Sequence, residues 1–187
     1  MSRRQLILGL AIMSALLVGA GGYVLIETMR PTDENTQSHL VVVNLSTIPL
    51  GDTQRIDSDR GPIFVVHRTK EDLSALETLS SQLRDPNSQL SHQPAYAQNR
   101  YRSAKPEWFI AFGLTHRGLP VNYTQTLPFG YEGPGQWFGG FYERYDGALF
   151  DKAGRVYFSG HPSEENLQIP EHRYVAEDKV EIYPYGL

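Results

Sequence analysis

Any chemistry this chain performs falls to oxygen and nitrogen side chains, because its 187 residues include no cysteine. That excludes a disulfide framework, a zinc–thiolate site, a thiol nucleophile and an iron–sulfur cluster held by cysteine. Among the other polar residues nothing spells a nucleophile with its base, or a paired general acid and base. Gly130, Gly133 and Gly135 lie close together, yet no helical pattern follows them, so a glycine loop cradling an anion at a helix start is excluded as well. Two polar stretches remain. Glu143, Arg144 and Asp146 read as a solvated charged loop, and His161 lies in the short loop Ser159-Gly160-His161-Pro162-Ser163, where a lone histidine is a surface residue more often than a ligand. With 17 basic and 21 acidic residues the net charge is −4, which argues against nucleic acid or an anionic membrane surface as the main partner.

The elements that must position these residues begin with an apolar one. Leu6 to Ile26 carries no charge over 21 residues, and at about 1.5 Å per residue it is long enough to cross a hydrocarbon core of roughly 30 Å. Arg3 and Arg4 precede it and Glu27 follows it, so the N-terminus is expected in the cytoplasm and residues from about 31 onward outside it. Ser2 to Ile7 also has the form of a twin-arginine export signal. A cleaved signal peptide is the competing reading, with Ala20-Gly21-Gly22 as the cleavage site. The apolar run continues through Tyr23 to Ile26, and that length favours a retained anchor. Gly9 and Gly19 to Gly22 would let another helix approach closely, or reflect only the tolerance of membrane helices for glycine. Pro31 to Ser38 is polar and aperiodic, a tether.

Beyond residue 30 the chain keeps 14 basic and 20 acidic residues and is long enough to bury a core without covalent staples. Strands dominate its pattern. Leu40 to Leu45 and Ile63 to His67 are β-branched runs separated by Pro49, Gly51, Gly61 and Pro62; Phe109 to Phe112 reads as a buried strand; Arg155 to Phe158, Arg173 to Ala176 and Val180 to Tyr183 complete the set. The last two are joined by a Glu177-Asp178-Lys179 turn, which predicts a hairpin. One helix is predicted from Lys70 to Leu83, capped by Thr69 with Asp72 three residues on, and with Leu73, Leu76, Leu79 and Leu83 on one side. Asp85 to Lys105 reads as irregular, and Leu127 to Gly140 as a series of turns.

Taken together these segments resemble the Rieske iron–sulfur subunit of a bacterial cytochrome bc complex. The likeness rests on Arg68-Thr69-Lys70-Glu71 with Ser81 to Pro86, on Gln93 to Ala97 and Arg102 to Trp108, on Gly139-Gly140-Phe141, on Phe150 to Tyr157, and on Asn166 to Pro170. It implies an all-β fold, a Rieske-like antiparallel β-sandwich with one inserted helix, plus one N-terminal transmembrane helix. The expected division is an anchor over 1–30 (span about 6–26), a hinge over 31–39, and a β domain over 40–187 whose cluster-binding subdomain occupies about 112–163.

The resemblance also assigns the positions of a 2Fe–2S site, and there the chain departs from the family. The first box, Cys-Thr-His-Leu-Gly-Cys in the family, is similar to Leu114-Thr115-His116-Arg117-Gly118-Leu119, and the second, Cys-Pro-Cys-His-Gly-Ser, to Glu143-Arg144-Tyr145-Asp146-Gly147-Ala148. Ligand positions thus carry Leu114, His116, Glu143 and Asp146, the disulfide positions carry Leu119 and Tyr145, and Ala148 replaces a serine. No 2Fe–2S cofactor is expected. Leu114, Leu119 and Tyr145 are expected to fill the volume that cluster and disulfide would take. A second reading gives His116, Glu143 and Asp146 a single divalent metal such as zinc, manganese or ferrous iron. Phe129, Tyr131, Trp137, Phe138, Tyr142 and Tyr145 fall where the resembled subunit docks on cytochrome b; at least half are expected to pack the subdomain itself. The resulting expectation is a single-pass protein of the bacterial inner membrane with a periplasmic domain and no catalytic residues. It would be a non-electron-transferring accessory or regulatory subunit partnered with cytochrome b, other subunits of the complex, or a cluster-bearing Rieske chain. The alternative is a mononuclear metal-binding protein or enzyme.

Overall fold

A computed structural model describes residues 40–131, 135–158 and 165–186. The expected membrane span, the tether and His161 lie outside the described residues, among which no helix is long and apolar enough to cross a membrane.

Among the described residues nine strands form three antiparallel three-stranded sheets. The strands are β1 (Val41–Asn44), β2 (Thr53–Ile56), β3 (Ile63–His67), β4 (Trp108–Phe112), β5 (Val121–Thr124), β6 (Gly140–Glu143), β7 (Leu149–Phe150), β8 (Glu171–Ala176) and β9 (Lys179–Tyr183). Their orders are β1-β9-β8, β2-β3-β4 and β5-β6-β7. The sheet β2-β3-β4 lies between the other two, and its sequence explains why. β3 and β4 are almost wholly apolar, and side chains alternate across a strand, so each face of the sheet receives an apolar set. Ile63, Val65, Trp108, Ile110 and Phe112 pack with Val43, Val180 and Ile182 of the first sheet. Phe64, Val66, Phe109 and Ala111 pack with Val121, Phe141 and Phe150 of the third. Register is pinned by Val65 opposite Ile110 and Phe64 opposite Ala111.

The predicted β8–β9 hairpin forms, with a register shift between Tyr174 and Ala176. Other expectations need correction. Arg155 to Phe158 is no strand; Val156 and Tyr157 make isolated bridges to Phe150 and Leu83. Helix α1 runs Lys70–Thr78 rather than to Leu83. Its start is as expected: Asp72 N–H donates to Thr69 Oγ1 at 3.1 Å and Thr69 N–H to Asp72 Oδ2 at 2.9 Å. It ends early at a polar stretch, where the Thr78 hydroxyl donates to the Ala75 carbonyl at 2.8 Å and a 3-10 turn follows over Ser80–Gln82. Such hydroxyls compete with the helical ladder.

The irregular stretch after the helix is organised by buried charge. The Asp85 carboxylate accepts the N–H groups of Gln89, Leu90 and Ser91 and the Ser91 hydroxyl, at 2.7–3.0 Å. Arg102 is wholly buried and donates to the carbonyls of Ala153, Gly154 and Leu167. Burial pushes its guanidinium down to about 9.

Candidate functional site

The two loops singled out in the sequence lie at the ends of β4, β5, β6 and β7. Gly113 N–H donates to the Pro62 carbonyl at 2.6 Å, and Val121 N–H to the Gly113 carbonyl at 3.0 Å, so the first loop leaves and re-enters the sheet layer at one place. Between them the buried Thr115 organises a tight turn. Its N–H donates to the Leu119 carbonyl at 2.8 Å, and its hydroxyl accepts from Arg117 and Leu119 N–H at 3.3 and 3.2 Å. Gly118 takes φ +78°, the left-handed conformation that the turn needs.

Leu114 packs against the backbone at Gly61: a Cβ built on that glycine would stand 2.6 Å from Leu114 Cδ1. An aliphatic chain thus fills the notch beside Gly61 at the position that the resemblance gives to the first ligand. Leu119 is half-buried. Tyr145 corrects the expectation that it fills the same volume, since it is 68% exposed. With no disulfide to bury it, its amphipathic ring is stable at the surface.

The second loop joins β6 to β7. Glu143 N–H donates to the Ala148 carbonyl at 2.8 Å, which closes the loop, and Gly147 at φ +71° lets the chain turn back. A solvated charged loop is not what forms, because Glu143 is wholly buried. Its carboxylate accepts the N–H of Tyr145 at 2.6 Å and of Asp146 at 2.7 Å, which compensates its loss of water. Asp146 forms an ion pair with Arg117 of the first loop. His116 is exposed. Among the described residues no group of three His, Cys, Asp or Glu side chains could hold a metal ion.

Four of the six aromatics pack the subdomain, as anticipated for at least half. Tyr131, Trp137, Phe138 and Tyr142 lie against Leu79, Leu83, Leu149 and Tyr157. The Tyr131 hydroxyl also donates to the Glu143 carbonyl at 2.9 Å. Phe129 and Tyr145 are exposed.

A 2Fe–2S centre of the Rieske kind needs two thiolates on one iron and two imidazoles on the other. At the four positions in question stand a leucine in its notch, an exposed histidine, a carboxylate committed to two amides, and a carboxylate paired with arginine. The donor set does not fit, and with no cysteine anywhere in the chain such a cluster cannot be bound. Sequence reasoning missed the buried role of Glu143 and the inter-loop role of Arg117. The glutamate stands at the end of an apolar strand, four residues before Gly147, which was the available signal.

The fold and the loops can now be set beside known proteins. No family model matches the chain. It is 35% identical over 188 residues to the ubiquinol–cytochrome c reductase iron–sulfur subunit of Allochromatium vinosum, covering 97% of this chain and 88% of that one. The mitochondrial Rieske subunit of the cytochrome b–c1 complex from Bos taurus is 33% identical over 144 residues, 75% of this chain and 44% of that one. This chain therefore spans less than half the length of that mitochondrial relative. A solved chain of a hyperthermophilic respiratory complex III aligns with 92% of this chain and 97% of its own, at 15% identity and a TM-score of 0.48. By its extended identity to the Allochromatium subunit, this cysteine-free chain belongs to the Rieske iron–sulfur subunit family of ubiquinol–cytochrome c reductase.

Proposed function

We propose that this protein is a cluster-less Rieske-like subunit of a cytochrome bc complex that does not itself transfer electrons. One observation carries the reading: similarity to a ubiquinol–cytochrome c reductase subunit extends over 97% of a chain that has no thiolate to offer iron. What such a chain retains is shape, and its role is accessory or regulatory. It is held in the bacterial inner membrane by the segment over 6–26, with its β domain in the periplasm, and it touches cytochrome b or a cluster-bearing sister chain. The exposed Phe129 and Tyr145 support a partner at the loop end, since aromatic side chains supply much of the binding energy of such contacts.

Two measurements test this. Purification of the complex in mild detergent is expected to bring this chain along with cytochrome b, and its absence would remove the accessory role. The full-length protein, prepared anaerobically, is expected to lack visible absorption and an EPR signal on reduction. Stoichiometric metal that disappears in a His116→Ala, Glu143→Ala double variant would instead establish a mononuclear centre.

A further inference from the structure

A carboxylate with 0% exposure is rare in a folded protein, and Glu143 is one. Its two oxygens are divided between successive backbone amides, Oε1 taking Tyr145 N–H at 2.6 Å and Oε2 taking Asp146 N–H at 2.7 Å. Both lengths are at the short end for an N–H···O bond. The same residue fixes the loop through its backbone, donating to the Ala148 carbonyl at 2.8 Å and accepting the Tyr131 hydroxyl at 2.9 Å. One residue therefore anchors this six-residue loop at four points.

Successive amides that converge on one place make a concavity with a positive potential, which draws in an anion. Here the anion is the chain's own. We propose that the loop over 143–148 is an anion nest kept occupied by Glu143, and that this self-occupancy closes it to external anions and holds Asp146 against Arg117 while Tyr145 faces solvent. Glu143 is a positioning residue in this account. The inference holds whether or not the protein joins a larger complex, because it rests on the loop alone.

Removing the carboxylate leaves the nest open to a small external one. In the full-length protein in detergent, Glu143→Ala is expected to accelerate hydrogen exchange at the amides of 145 and 146 by roughly tenfold, the effect of losing one buried bond. Sodium formate is expected to restore that protection and raise the thermal midpoint of the variant. Sodium chloride at equal ionic strength is expected to do less, and the wild type to respond equally to both. A folded Glu143→Ala protein that formate does not protect would overturn the proposal. Should that variant fail to fold, Glu143→Gln keeps the shape and one acceptor, and faster exchange is expected at only one of the two amides. Wild-type exchange at both amides in the glutamine variant would equally overturn it.

Discussion

Arg117 and Asp146 tie the two loops together, one from each, with their side chains 30% exposed apiece. Leu119 and Tyr145, the positions where the family resemblance places a disulfide, contribute no covalent link, and Tyr145 is turned outward. A charge pair thus performs the bridging. Unlike a disulfide it responds to ionic strength. Asp146→Asn is expected to lower stability by about 0.5–1 kcal/mol, the value of a partly exposed pair. The midpoint of chemical unfolding, measured at low and at high sodium chloride, should show the variant losing most of its deficit at high salt. An equal deficit at both would show that the pair does not bridge the loops.

Asp151 and Arg155 form a buried pair, with side chains 1% and 0% exposed and Nη2 2.7 Å from Oδ2. Arg155 Nη2 also donates to the Leu76 carbonyl in α1 at 2.7 Å, so the pair fastens the helix to the third sheet. Asp151→Asn would leave a buried guanidinium uncompensated. The expected loss is about 3–5 kcal/mol, seen as a lower urea midpoint with an unchanged slope.

His172 supplies a pH dependence. Its Nδ1 lies 2.9 Å from the Pro170 carbonyl and 3.1 Å from the Tyr96 hydroxyl, and its Nε2 is buried with no hydrogen-bond partner among the described residues. Burial holds the imidazole below its ordinary value, while the unfolded chain takes up a proton near about 6.5. The unfolded state therefore binds more protons as pH falls through that value. Stability is complete above it and declines below it. The thermal midpoint is expected to drop between pH 7 and 5, and His172→Asn, which retains a donor for Pro170, should flatten the slope.

Gly140 opens β6 with φ +149°, and a Cβ there would stand 2.1 Å from the Phe150 carbonyl oxygen. Backbone strain of about 1–3 kcal/mol and an overpacking term of similar size both follow from Gly140→Ala. Circular dichroism on heating should show a midpoint many degrees lower. A variant with the wild-type midpoint would mean that β6 and β7 are not so closely apposed.

Much of this was legible beforehand, for physical reasons that differ by element. β3 and β4 announced themselves because a layer buried on both faces needs uninterrupted apolar residues. The capping box at Thr69 and Asp72 is a local signal and was found, whereas the early end of α1 depends on hydroxyls that bind the backbone and on tertiary packing. β5 to β7 are short and flank a stretch dense in glycine and turns, so no alternating apolar pattern revealed them. At the site, the absence of thiolates was legible from composition alone. The inward turn of Glu143 was not, because a charged residue between polar neighbours reads as solvated until its amide partners are known.

The contact between Leu114 and Gly61 carries a consequence for redesign. Placing a smaller residue at 114 would strip contacts from the Gly61 notch, and a side chain at 61 would meet the end of the leucine on a backbone held at φ +115°, so a change at either position is felt at the other. Introducing sulfur at 114 would require its neighbours to change in concert, as well as the inward glutamate. The neighbours of Leu114 therefore set the terms on which a thiolate could be introduced at this corner of the fold, and a single exchange would not supply them.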